Sequence, residues 1–297
     1  MRVLVTGARG FLGRHILHSL SRRSEFEVVA DRRLEDRPAI DLLDRAAVQH
    51  LVTEMCPSHV VHACGSHPKR AMEDLFLVHS VTTQNLVDAF AQAGQIVRWI
   101  NIGTAASYGA QDPEIEPHLE ESHPDQVLSE YAGSKVAQEQ AVAAAAECGV
   151  VRPTFLRVFN AIGPGQSGPF LVPAILEQLR GSCRSVLRLG NLDCVRDFVD
   201  VRDVAEAVVA CLRFPRTNGE KLNVCSGVGT RVDEIAYMLM AAVTRKRDLR
   251  LDAVPLPPPA IRYQRGSYRR IEELCGWRPR YTLAETVRDI WQEAVGS

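Results

Sequence analysis

An α/β fold, a doubly wound parallel sheet followed by a smaller mixed α/β region, is what three features of this sequence predict. Residues Arg2 to Gly13 read as a strand, a tight glycine turn and the start of a helix. Short apolar runs then alternate with helical periods five times over, the pattern of right-handed βαβ crossovers. Beyond Asn160 that alternation loosens into Gly- and Pro-punctuated turns with short mixed elements.

Val3, Leu4 and Val5 form an unbroken apolar run, as a strand buried on both faces requires. Gly7, Gly10 and Gly13 follow at spacings of three, and Ile16, Leu17 and Leu20 then recur at helical period. Glycines let the backbone approach a pyrophosphate, and the helix N-terminus adds free N–H groups and the positive end of its dipole. Strand before and helix after are the context in which such a triplet counts as a dinucleotide site. Gly7, Arg9, Gly10, Phe11 and Leu12 are the candidate contacts on this Rossmann-type turn.

The 297 residues carry 35 basic and 36 acidic side chains, a balance that argues against nucleic acid or an anionic membrane as the main partner. Neither a leader pattern nor a membrane-length apolar run is apparent, so the expectation is a soluble, cytoplasmic protein. Eight cysteines without any Cys-x-x-Cys pair read as free thiols, several of them buried, rather than as disulfides or a metal site.

Phe26 to Ala30 is a second strand ending at Asp31, eighteen residues beyond Gly13, where an adenosine ribose should lie. A carboxylate there suits the ribose hydroxyls of NAD, whereas Arg32 and Arg33 suit the 2′-phosphate of NADP. With Arg9 nearby, three cations against one acid tip the balance to NADPH while leaving NAD open. Asp41 and Leu42, a few residues later, are candidate adenine contacts. Asp44 to Met55 reads as a helix and His59 to Cys64 as a third strand, whose end places Ala63, Cys64, Gly65 and Ser66 at the ligand-bearing edge. His62, within that strand, reads as a packed core residue. Met72 to Ala93 reads as one long helix, and Ile96 to Ile102 as the fourth strand, ending at Gly103-Thr104.

Tyr131 to Ala145 reads as a helix, and a spacing of four puts Tyr131 and Lys135 on one face. An ammonium near a phenol is expected to lower its pKa into the range useful for proton transfer. Thr104 is placed to hold the same substrate oxygen.

With these motifs the chain resembles the extended short-chain dehydrogenase/reductase family. The resemblance rests on Thr6 to Gly13, Gly103 to Gly109, Tyr131 to Lys135, Arg157 to Gly165, Arg196 to Asp200 and Leu222 to Gly227, nearly the full length. It implies that Thr104, Tyr131 and Lys135 are the active triad, with the tyrosine exchanging a proton with a sugar oxygen and the lysine also holding the nicotinamide ribose. Two departures stand out: His79 in place of an asparagine, and Glu130 in place of a proline before the tyrosine. The resemblance also implies a dinucleotide-binding domain over residues 1–160, to which a stretch at about 194–227 returns, and a nucleotide-sugar domain over 161–297. Ser66, Thr104, Asn160, Arg196 and Arg265 are then the substrate candidates, the two arginines suited to phosphate oxygens unless each is taken up by a neighbouring acid.

Ala105 and Ala106 stand where dehydratases of that family carry an Asp-Glu pair, which argues against dehydration. The remaining set looks most like reductases of nucleotide-linked 4-keto-6-deoxy sugars, particularly the GDP-4-keto-6-deoxy-mannose reductase group. A 4-epimerase with retained NAD and a non-catalytic dinucleotide sensor are the alternatives. The helices at Met72 and Tyr131 imply a homodimer.

Overall fold

The computed structural model describes residues 1–30, 40–66, 70–180, 186–242 and 249–296. Strand β1 (Arg2–Thr6) feeds helix α1 (Phe11–Ser21), and β2 (Glu27–Ala30) follows. Val3 and Val5 face one apolar cluster and Leu4 faces another, which is why the run is continuous rather than alternating. Helix α2 (Arg45–Met55) is capped by Asp44, whose carboxylate accepts from the N–H groups of Ala46 and Ala47. After β3 (His59–His62), α3 (Met72–Phe76) passes through a π-helical turn, Leu77–Val81, into α4 (Thr82–Gln92). The helix expected over Met72 to Ala93 is therefore present, but with one turn widened around His79.

Strand β4 (Val97–Thr104), helix α5 (Glu130–Glu147) and strand β5 (Val151–Val158) complete the next crossover, with Ser129 capping α5. Then come β6 (Asn160–Ile162), α6 (Leu171–Arg180), β7 (Val186–Leu189), β8 (Val195–Asp200) and α7 (Val201–Arg213). Strand β9 (Lys221–Val224), β10 (Gly229–Arg231), α8 (Val232–Ala242), β11 (Arg250–Ala253), β12 (Tyr263–Gln264), α9 (Arg269–Cys275) and α10 (Leu283–Gly296) follow.

Six parallel strands form the main sheet in the order β2-β1-β3-β4-β5-β9. The fold is the expected Rossmann-type doubly wound sheet, with a sixth strand supplied from Lys221–Val224. One face is covered by a cluster that includes Ile16, Leu20, Val204 and Val208 from α1 and α7, the other by one with Val48, Leu86, Phe90 and Val142 from α2, α4 and α5. Chain direction across the sheet reverses between β1 and β3, and in open α/β sheets the crevice at the carboxyl ends beside such a reversal is where ligands bind. Beside it, β8 pairs with β10, β12 and β6, and a third apolar cluster ties α6, α8 and α10 together.

Arg157 on β5 is fully buried and pins the connection before α5 to the sheet. Its guanidinium meets Asp125 at 3.0 Å and Glu139 at 2.8 Å, and lies 4.6 Å from the Tyr108 ring centre. Among the seven cysteines described, Cys194, Cys211, Cys225 and Cys275 are buried, while Cys56 and Cys148 are exposed. No helix among the described residues is long and apolar enough to cross a membrane.

Removing one partner of a buried ion cluster leaves charge without compensation. Arg157→Leu is therefore expected to cost about 3–5 kcal/mol of stability in urea unfolding; a loss below about 1 kcal/mol would mean that Asp125 and Glu139 are solvated without it.

Candidate active site

The glycine turn is held against the end of β3. Gly7 has φ +67°, and a Cβ there would stand 2.6 Å from the Ala63 carbonyl oxygen and 2.7 Å from the Cys64 nitrogen. A Cβ on Gly13 would meet the Gly7 carbonyl oxygen at 2.0 Å, so the first turn of α1 packs directly on the glycine loop. Gly10 closes the turn by donating to Gly7 O at 2.9 Å and stands at the N-cap, where no side-chain capping hydrogen bond is made. Arg9 is exposed there, and Phe11 and Leu12 are half-buried. These are the requirements of a backbone anion cradle.

Further along the crevice, Leu42 turns its side chain into the core, and its carbonyl accepts from Asn85 Nδ2 at 2.9 Å. Asp41 is exposed and holds the Leu43 N–H. The candidates Asp31, Arg32 and Arg33 lie outside the described residues.

Loop Ala63–Ser66 is fixed by His79. Its Nε2 accepts the Ser66 N–H at 3.1 Å, so the ring proton sits on Nδ1 and is donated to Ser134 Oγ at 2.9 Å. Ser134 in turn donates to the Tyr131 carbonyl at 2.8 Å. Burial, and next the Lys135 charge, push His79 down to about 3, so it stays neutral. The widened turn at Leu77–Val81 thus presents a neutral ring that clips the loop after β3 to the first turn of α5.

Thr104 ends β4 and Tyr131 opens α5, and the Thr104 side chain is near enough to the phenol to act on its ionisation. The Tyr131 ring meets the His79 ring edge-on, with centres 5.7 Å apart. Burial raises the phenol above its ordinary 10.0, and the nearby Thr104 side chain offsets this only in part. The expected lowering of Tyr131 by Lys135 is therefore corrected. The ammonium is turned toward the sheet, donating to Ile102 O and to Gln138 Oε1, each at 2.6 Å. Lys135 itself is brought down to about 8 by burial, against the pull of Glu139 and Cys64. At neutral pH the site holds a protonated phenol beside a charged ammonium, the state needed to give a proton to a nascent alkoxide.

On the far side, Asn160 on β6 donates through Nδ2 to Asp197 O at 3.0 Å. Asp197 is fully buried and accepts from Ser226 N and Oγ, Gly227 N and Gly266 N; burial still pushes it up to about 6. Neither Arg196 nor Arg265 forms an ion pair among the described residues. Arg196 instead donates to the carbonyls of Val195, Ile261 and Arg262, and Arg265 donates through Nε to Gly227 O. Gln264 from β12 reaches the Ala105 carbonyl at 2.9 Å, which sews this lobe to the residue after Thr104. Ala105 and Ala106 lie in a short 3-10 turn and offer only methyl groups.

Residues 3–225 match the NAD dependent epimerase/dehydratase family. This chain belongs to that family. It is an enzyme family of the short-chain dehydrogenase/reductase type, as the motifs imply. The chain is 30% identical over 244 residues to GDP-6-deoxy-D-talose 4-dehydrogenase of Aggregatibacter actinomycetemcomitans, covering 80% of this chain and 79% of that one. It is 28% identical over 308 residues to GDP-6-deoxy-D-mannose reductase of Pseudomonas aeruginosa, covering 99% and 98%. The structure of RMD from Pseudomonas aeruginosa complexed with NADPH superposes with a TM-score of 0.88 at 27% identity, over 99% of both chains.

The motifs in the sequence pointed to Thr104, Tyr131 and Lys135. Gln138 and Ser134 escaped them. Gln138 lies three residues past Lys135, on the same helical face, and that spacing was the signal available.

Proposed function

We propose that this chain is an NADPH-dependent reductase acting on the 4-keto group of a nucleotide-linked 4-keto-6-deoxy sugar. The observation that carries the reading is the placing of Tyr131 near Thr104 at the carboxyl end of the sheet, with the Lys135 ammonium buried one turn further along α5. A phenol held protonated suits reduction, in which hydride arrives at the carbonyl carbon and Tyr131 supplies the proton to its oxygen.

In this reading Gly7, Arg9, Gly10, Phe11 and Leu12 receive the pyrophosphate. Asp31, Arg32, Arg33, Asp41 and Leu42 border the adenosine, and Ala63, Cys64 and Gly65 line the nicotinamide side. Two of the three Lys135 N–H bonds go to Ile102 and Gln138 among the described residues, and the third is left for the nicotinamide ribose. The bound dinucleotide supplies the hydride. Ser66 and Thr104 border the sugar, while Asn160, Arg196 and Arg265 border its diphosphate with the N–H bonds that the backbone carbonyls leave over. Residues 161–297 then act mainly as the sugar-nucleotide domain, apart from the stretch that returns to the first sheet.

Adding the keto sugar to enzyme and NADPH is expected to consume NADPH absorbance mole for mole, and Tyr131→Phe to slow this about a hundredfold. With Lys135 at about 8, NADPH use should also decline as pH rises through that value, because the ribose loses its charged donor. Product inversion at constant absorbance would make the enzyme an epimerase with retained NAD; a Tyr131→Phe protein as fast as the parent would remove the proton donor.

A homodimer belongs to the same proposal. Met72, Phe76 and Leu77 are exposed on α3 and the widened turn, and α5 packs beside them. Light scattering should return twice the chain mass of 32.9 kDa; a single chain mass at micromolar concentration would contradict it.

A further inference from the structure

Beneath the Tyr131–Lys135 face runs a buried chain of polar side chains that the reaction as described does not use. Lys135 Nζ donates to Gln138 Oε1 at 2.6 Å, and Gln138 Nε2 donates to Thr83 Oγ1 at 3.3 Å. Thr83 spends its only hydroxyl proton on the His79 carbonyl at 2.5 Å, so it accepts from both other neighbours. One of them is His62, whose Nε2 lies 2.9 Å away and therefore carries the ring proton. His62 Nδ1 then accepts from Thr6 Oγ1 at 2.8 Å, and Thr6 accepts the Cys64 N–H at 3.3 Å. Lys135, Gln138, Thr83, His62 and Thr6 are all buried.

Every proton in this chain has one direction. The network cannot pass a proton without reversing several bonds at once, and its one histidine is kept neutral, pushed down to about 3 by burial. It is a brace. The Gln138 amide is also locked in orientation, because turning it over would set an NH2 group against the ammonium.

We infer that Gln138 is the positioning residue for Lys135: its amide oxygen fixes where the ammonium sits over the end of β4, and through Thr83, His62 and Thr6 ties that position to the base of the glycine turn. This role rests on the reading of Lys135 as the holder of the nicotinamide ribose. A neutral oxygen at this place also leaves the lysine's charge to be set by its surroundings. Those facing it are Glu139 on its own helix, Tyr131 one turn back, Cys64 beyond β3, and the neutral rings of His62 and His79. Glu139 is largely committed to Arg157. Exchanging the amide for a carboxylate or a methyl pair should therefore move the lysine's ionisation in opposite directions.

The chain contains four lysines, Lys69, Lys135, Lys221 and Lys246, so a carbon-13 NMR titration of labelled lysine side chains resolves each. The Lys135 signal is assigned by its loss in Lys135→Met. Gln138→Glu should raise its midpoint by about one pH unit or more, and Gln138→Leu should lower it. Gln138→Leu should also weaken NADPH binding about tenfold at neutral pH and reduce kcat, while the KM for the sugar stays within about twofold. Gln138→Glu is nearly the same shape as the parent and reports on its own should the leucine protein not fold. An unchanged Lys135 midpoint in the variants, whatever their thermal stability, would overturn the role of Gln138. Absence of NADPH consumption by the parent enzyme, with displaced midpoints, would discard the reductase reading alone; unchanged midpoints in an enzyme that consumes NADPH would discard the brace alone.

Discussion

A charged ammonium taken out of water is the constraint around which this fold is arranged. Lys135 is nearly fully buried, and burial of that kind is tolerated only where oxygens replace the lost solvent. Ile102 supplies one from the end of β4 and Gln138 supplies another from the next turn of α5. Both oxygens are neutral, so the residue keeps its charge at neutral pH yet gives it up near 8, far below an exposed lysine. The same burial acts with the opposite sign on Tyr131, raising the phenol. One apolar environment thus sets an acid that is slow to ionise beside a cation that is easily discharged.

That arrangement needs rigid supports, and the sheet provides them. The end of β4 carries Thr104 and Ile102, the end of β3 carries the loop that His79 clips, and the end of β1 carries the glycine turn that presses on Ala63 and Cys64. Parallel registry puts all three ends at one edge, beside the reversal of strand order. The second lobe is attached at the same edge: Asn160 follows β5 directly, and the buried Asp197 gathers four donors from the turns after β9 and β12. The carboxylate organises backbone, and among the described residues Arg196 and Arg265 form no ion pair.

Much of this was legible in the sequence because it is local. The strand, glycine turn and helix from Arg2 to Ser21 follow from apolar runs and spacing alone, as does the shared face of Tyr131 and Lys135. What escaped depends on contacts distant along the chain. Strand β9 joins the sheet beside β5 after an excursion through β6, β7 and β8; no local periodicity marks it, and only the family resemblance implied that a stretch at about 194–227 returns. Arg157 stands in an apolar run, while its partners Asp125 and Glu139 are 32 and 18 residues away. The partner of the Lys135 ammonium was hidden for the same reason: helical spacing gives the face, and the strand carbonyl that receives the ammonium belongs to another element. The π turn at Leu77–Val81 has no signal in periodicity, although His79, its centre, stood out as a departure.

A crystal structure of the enzyme with NADPH bound tests the central claim most directly. The account predicts the Lys135 ammonium within hydrogen-bond reach of the nicotinamide ribose, still bonded to Ile102 and Gln138, with the Tyr131 hydroxyl facing the hydride-bearing carbon. A dinucleotide seated elsewhere, or a ribose held by other groups while Lys135 remains turned away, would contradict it.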